Sequence, residues 1–226
     1  MTMTMPKLLN SAAEKQITRD WQAEIPSLGI FKPRHLLRRV GPLLVGICLD
    51  RDSSANKYIP QFHVHFLGIE DTSISLMLST QLRTERTEGP DYIEVRWHEE
   101  KYKEAAARMV RQSLLPMTGD LTLAQVLDAY RKHMATPMGR LTTMHLYRDM
   151  ILLSAWAGDK QGASKLLEEA LRSTTDEAKF RHVGGRTGFE TECRKAIGDP
   201  ESIEQLVQNQ IAALKLAELP QSKLLP

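Results

Sequence analysis

The chain has 226 residues, 42% of them hydrophobic and 26% charged, and its 30 basic and 28 acidic residues leave a net charge of +2. Near balance argues against a protein built mainly to grip a polyphosphate backbone, which needs a clear positive excess, and leaves room for a small basic patch. The two cysteines, Cys48 and Cys193, lie far apart and outside any CxxC pair, which argues against a disulfide framework or a structural zinc site.

Residues 1–10 carry no long apolar stretch behind a basic start, and no run of about 18 apolar residues occurs, so neither a signal peptide nor a membrane span is expected. With the sparse cysteines this points to a reducing cytoplasm. After a polar start, Ala12, Ala13, Ile17, Trp21 and Ile25 recur at helical spacing, with Ser11 as cap and Pro26 at the end. The period then changes. Residues 43–49 form an apolar run that predicts a buried strand, residues 50–57 a polar turn, and residues 62–67 a second strand antiparallel to the first. Alternation puts Phe62, Val64 and Phe66 on one face and His63 and His65 on the other. Residues 74–78 and 92–97 predict a third and a fourth strand.

From residue 98 the pattern is helical. Helices are predicted over 98–115, 121–134 with Thr118 or Asp120 as cap, 141–157 ending at Gly158, 159–171, and 203–219. Residues 181–188 predict a flexible connection and 220–226 a frayed tail. The expected fold is α+β: an N-terminal helix and a small antiparallel sheet packed against a helical C-terminal half. Residues 1–134 form the α+β domain, and 135–226 a helical region packed on the same core.

Two segments resemble known families. Leu152, Ala155, Gly158, Asp159, Ala163, Leu166, Leu167 and Ala170 resemble one tetratricopeptide-type hairpin over 146–171. No second copy follows at a regular period, so a generic helical hairpin is the plainer reading. Gly29-Ile30-Phe31, Arg38-Arg39-Val40, the run 43–49, the strand 62–66 and Leu115-Pro116 resemble a bacterial family of unknown function, the DUF4304 type, over about 28–134. Ile30 falls between the Gly and Phe of that pattern, and the aromatic residues expected after the basic segment are absent. Some such domains sit beside toxins as immunity proteins, and the resemblance implies that kind of role here.

His63 and His65, on one strand face, suit a shared metal or phosphate, with His98, His35 or Asp50 as a further ligand. The two histidines also suit an ordinary half-exposed polar face. Histidine-triad hydrolases need a third histidine where this chain has Leu67, so that pattern is incomplete here. Lys32, Arg34, His35, Arg38 and Arg39 form the densest basic cluster, able to hold a phosphate or an acidic partner surface, or simply to line a solvated edge. Gly184-Gly185-Arg186-Thr187-Gly188 lacks the Gly-Lys-Ser/Thr ending of a phosphate loop, and no Gly-x-Ser-x-Gly or His-Glu-x-x-His occurs.

Without a complete catalytic motif, the sequence favours a non-catalytic protein-binding module with another protein as partner, in the manner of an immunity protein that neutralises a toxin. Two alternatives stay open: a nucleic-acid-associated protein using the cluster at 32–39, and a metal-dependent hydrolase centred on His63 and His65. No cofactor is expected. The candidate binding residues are Arg34, Arg38, Arg39, His63 and His65, expected on one face of the sheet with the helices packed behind it.

Overall fold

The computed structural model describes residues 9–52 and 56–226. Residues 1–8 and 53–55, where the sequence predicts a polar start and the middle of a turn, lie outside the described residues. The fold is α+β, as the change of period predicts: an N-terminal helix, a five-strand antiparallel sheet and a mostly helical C-terminal half. None of the described helices is long and apolar enough to cross a membrane.

Helix α1 (Ser11–Glu24) is capped one residue earlier than expected, by Asn10, whose Oδ1 accepts from the Ala13 N–H at 2.9 Å. The sheet runs β1 (Gly29–Lys32), β2 (His35–Val40), β3 (Leu43–Arg51), β4 (Lys57–Phe66), β5 (Leu78–Gln81), in that order. Strands β3 and β4 are the expected antiparallel pair, in the register Val45↔Val64 and Gly46↔His63. The third strand begins where its prediction ends, because the Ser75 N–H and hydroxyl bond His65 instead of a neighbouring strand. Only β6 (Ile93–Glu94) survives from the fourth, paired to Lys57 and Tyr58. Strand β4 begins at Lys57, so the partner ladder runs out and Val95–Trp97 turns as 3₁₀ helix into α2 (His98–Gln112).

The short β7 (Leu121–Thr122) leads into α3 (Leu123–Met134), which Thr122 caps in a reciprocal box with Gln125 rather than Thr118 or Asp120. Then come α4 (Pro137–Leu141), α5 (Thr143–Trp156) and α6 (Lys160–Ser173), the last two joined at Gly158, whose φ of +85° suits glycine, with Asp159 capping α6. The segment 181–188 is not a flexible connection. A 3₁₀ turn (Glu177–Val183) and α7 (Gly185–Gly198) meet at Gly184 and Gly185, both at positive φ, and Phe180 packs edge-on to Phe189. Helix α8 spans Pro200–Ala213, so the predicted 203–219 helix starts earlier and stops sooner.

The tail is not frayed. Strand β8 (Gln221–Ser222) pairs parallel with Arg39 and Val40, and β9 (Leu224–Leu225) pairs with β7. Strand β8 thus continues the edge of β2 beyond the residues that pair with β1.

Both faces of the sheet are covered. On one, Leu36, Val45, Ile47, Phe62 and Val64 join Trp21 of α1, Met109 of α2 and Leu153 of α5 in the main apolar cluster, which extends to Phe189 and Cys193. On the other, Leu37 and Leu44 pack against Val207 of α8 and against Leu216 and Leu219.

Candidate functional site

Cross-strand register fixes which side chains share a face. His35, Leu37 and Arg39 on β2 align with Cys48, Gly46 and Leu44 on β3, and these with Gln61, His63 and His65 on β4. Arg38 aligns with Val45 and Val64 and lies on the opposite face, so the expectation of a single face shared by His63, His65 and Arg38 is corrected. That face is also not open: His35 is 5% exposed, His63 0% and His65 4%.

His35, named from the sequence as a possible further ligand, does reach His63. Their Nε2 atoms are 2.7 Å apart. Burial and the neighbouring Lys32 and Arg34 hold the His35 pKa down at about 4, and burial and His35 drive that of His63 well below 6.5. Both rings are therefore neutral at pH 7, one donating to the other. The Nδ1 of His63 is buried with no partner among the described residues. A bare acceptor there costs less than a bare N–H, which assigns His63 Nε2–H as the donor and His35 Nε2 as the acceptor. The missing side chain at Gly46 matters here: a Cβ would collide with the Leu36 carbonyl and crowd Leu37.

His65 does not join them. Its Nδ1 takes the Ser75 N–H at 3.1 Å and lies 3.0 Å from the Ser75 hydroxyl. An Nδ1 that accepts a backbone N–H carries no proton, so the proton of the neutral ring sits on Nε2, which is buried and unpartnered among the described residues. His65 lines a cleft of about 280 Å³ with the loop residues Glu70, Asp71 and Ser75 and with His145, Arg148 and Asp149 of α5. His145 Nδ1 and Arg148 Nε are likewise buried without partners. Asp149 receives the Tyr130 hydroxyl at 3.3 Å. Burial, with Glu192 adding to it, pushes the Asp149 carboxyl up to about 7 against the opposing effects of Arg148 and Tyr130. Burial first, then Arg148 and His182, keeps His145 below 6.5.

The basic cluster is not one surface. Arg38 is 1% exposed, and its guanidinium donates to the carbonyls of Gly119 (2.6 Å) and Pro116 (2.8 Å) and to the Ser222 hydroxyl (2.9 Å). It ties the loop after α2 to the C-terminal strand. Arg34 occupies the β1–β2 turn at φ +68°, with its N–H on Thr18 Oγ1 at 2.7 Å and its Nε 3.1 Å from Glu14. Arg39 lines a separate cleft of about 150 Å³ with Trp156 and Glu204.

Among the described residues, the one group of three side chains placed to hold a metal is Asp20, His98 and Glu99, with ligand atoms within 4.8 Å of one another. His98 is already engaged at both nitrogens. The Trp21 indole N–H donates to Tyr58 Oη (3.1 Å), Tyr58 donates to His98 Nδ1 (2.8 Å), and His98 Nε2–H donates to Asp20 (3.0 Å). Each donor in this chain has an acceptor. A cation on Nε2 would force the proton onto Nδ1 and leave the Tyr58 hydroxyl hydrogen without one, so the chain works as a pin between α1, β4 and α2.

One exposed feature was not visible as a motif. Tyr92 and Trp97 flank β6 and are 41% and 39% exposed, with Lys57 Nζ 4.6 Å from the Tyr92 ring centroid and the Arg96 guanidinium 5.2 Å from that of Trp97. No known protein family matches the chain, and neither a curated protein nor a solved structure shows significant similarity to it.

Proposed function

We propose that the chain is a non-catalytic protein-binding module that presents the sheet edge around β6 to its partner. The observation that carries this reading is the pair of exposed aromatics, Tyr92 and Trp97, each with a cation over its ring, within six residues of chain. Tyr, Trp and Arg supply most of the energy at protein interfaces, since rigid rings bury large area at little entropic cost. Among the described residues, strand β6 pairs with β4 and with no other strand, so the aromatics flank an edge strand of the kind partners extend. A toxin as the partner is the finer reading and rests on the sequence resemblance. The basic residues at 32–39 support a nucleic-acid reading less well, because Arg38 and Arg34 are engaged within the fold.

The test is capture of partners from the native host by the full chain and by the Tyr92→Ala/Trp97→Ala double variant. The expected result is a stoichiometric protein partner, held at least about tenfold more weakly by the variant, with unchanged thermal unfolding. Absence of such a partner, equal capture by both proteins, or capture abolished by nuclease overturns the reading.

A further inference from the structure

The cleft between β4, the 67–77 loop and α5 collects polar groups that the fold itself does not use. His65 is nine-tenths buried and more, its tautomer is fixed by the Ser75 N–H, and its Nε2–H points to no acceptor among the described residues. An unmet buried donor is costly, so a chain that retains one has a use for it or a strain to offset elsewhere. Arg148 makes no ion pair or side-chain hydrogen bond among the described residues, although its Nε is buried, and His145 Nδ1 stands free beside it in the lining. Two of these three groups can only donate. What they lack is an acceptor, and a guanidinium asks for an anionic one.

The same cleft limits the charge of that anion. Glu70, Asp71 and Asp149 also line it, with Asp71 close enough to act on the charge of His65, so a dianion such as phosphate meets carboxyl groups as well as donors. A divalent cation fits poorly, because among the described residues no metal-ligating trio gathers in this cleft. The volume of about 280 Å³ is below the range typical of drug-sized ligands and suits a smaller molecule.

We infer that this cleft binds a small amino-acid-like zwitterion, its carboxylate taken by His65, His145 and Arg148 and its ammonium group by Glu70 and Asp71. The carboxylate supplies the acceptor that the imidazole and guanidinium N–H groups lack. The ammonium group offsets the acidic residues of the lining, which would repel a simple anion. The site is independent of the aromatic patch at β6, so either can fail without the other.

Calorimetric titration of the full chain with each common amino acid in turn, and with acetate, ethylamine and inorganic phosphate, tests this. At least one amino acid should bind at one equivalent, with acetate, ethylamine and phosphate each weaker by about tenfold or more. Arg148→Gln should weaken that amino acid about tenfold, and Glu70→Gln, at an exposed position, about threefold. Nitrogen chemical shifts of His65 should show the proton on Nε2 and should move on titration. Urea unfolding of both variants guards against a folding defect, and the exposed Glu70→Gln keeps the test alive if Arg148→Gln is unstable. No amino-acid binding at about millimolar concentration, phosphate or acetate binding as tightly, or unaltered affinity in Glu70→Gln overturns the inference.

Discussion

Asp149 sits in an environment that its ionised form disfavours. It is a carboxyl on the inner side of α5, with the Tyr130 hydroxyl as its one hydrogen-bond donor among the described residues, and burial lifts its pKa from 3.8 to about 7. A group whose folded pKa is raised contributes stability that is fully present below 3.8 and is lost as pH rises through 7. Asp149→Asn keeps the acceptor for Tyr130 and removes the titration. The variant should therefore gain on the wild type as pH rises, by about 2 kcal/mol more at pH 8 than at pH 5, read from urea unfolding at both. A gap that does not change with pH would show that Asp149 is not held near neutrality. In the sequence this residue is invisible: it sits in a helix whose pattern resembles a packing hairpin, and nothing marks it as a neighbour of His65. The His-x-His pair was legible, since strand alternation alone puts both rings on one face. That His63 turns to His35 while His65 turns to Ser75 depends on contacts across strands and a loop, which alternation does not encode.

At the scale of elements, strands β3 and β4 were legible because apolar runs bounded by polar stretches admit few other readings. Strand β2 was harder. Its Arg38-Arg39 pair suggests a solvated edge, and the structure instead buries Arg38 on the core face, where it donates to Pro116, Gly119 and Ser222. The same contact explains why the tail misleads: residues 220–226 have no periodic pattern, and their order comes from partners more than a hundred residues away. Residues 181–188 mislead for a different reason, since paired glycines at positive φ suit a tight joint between helices as well as a loop. The tail gives a test. Deleting residues 220–226 removes the Ser222 acceptor, the Pro220 and Ser222 carbonyls that receive the Arg39 and Gly41 N–H groups, and the Leu121–Leu224 pairing. The loss should be about 2–4 kcal/mol, measured by chemical denaturation, where a frayed tail would give none. Arg38→Met should cost a similar amount. The two changes combined should fall short of their sum by about 1 kcal/mol, because each removes part of the same network.

The whole molecule has a buried imidazole population that sets its response to acid. Of the seven histidines, His35, His63, His65, His133 and His145 are all held below 6.5, and burial is the largest cause in each. In the unfolded chain these rings take protons near pH 6.5, whereas in the folded chain they resist, His35 down to about 4. Between those limits the unfolded state binds more protons, so stability is present above pH 6.5 and is lost as pH falls toward 4. Asp149 acts in the opposite sense, since folded it holds a proton that the unfolded chain has released. Five histidines against one carboxyl leave a net uptake on unfolding of at most about four protons, and His35 alone supplies close to one. Urea unfolding followed from pH 7 to pH 4.5 should show stability falling steadily. His35→Gln should remove about one proton from that slope, because it deletes the ring that titrates and leaves His63 a neutral acceptor. Stability that is flat or rises on acidification would mean that the His35–His63 pair is already charged in the folded chain, contrary to its burial. The sign also bears on the cleft. A ligand carboxylate against His65, His145 and Arg148 favours protonated imidazole, so binding should tighten on mild acidification while the empty chain weakens, and the two trends separate a used cleft from a merely strained interior.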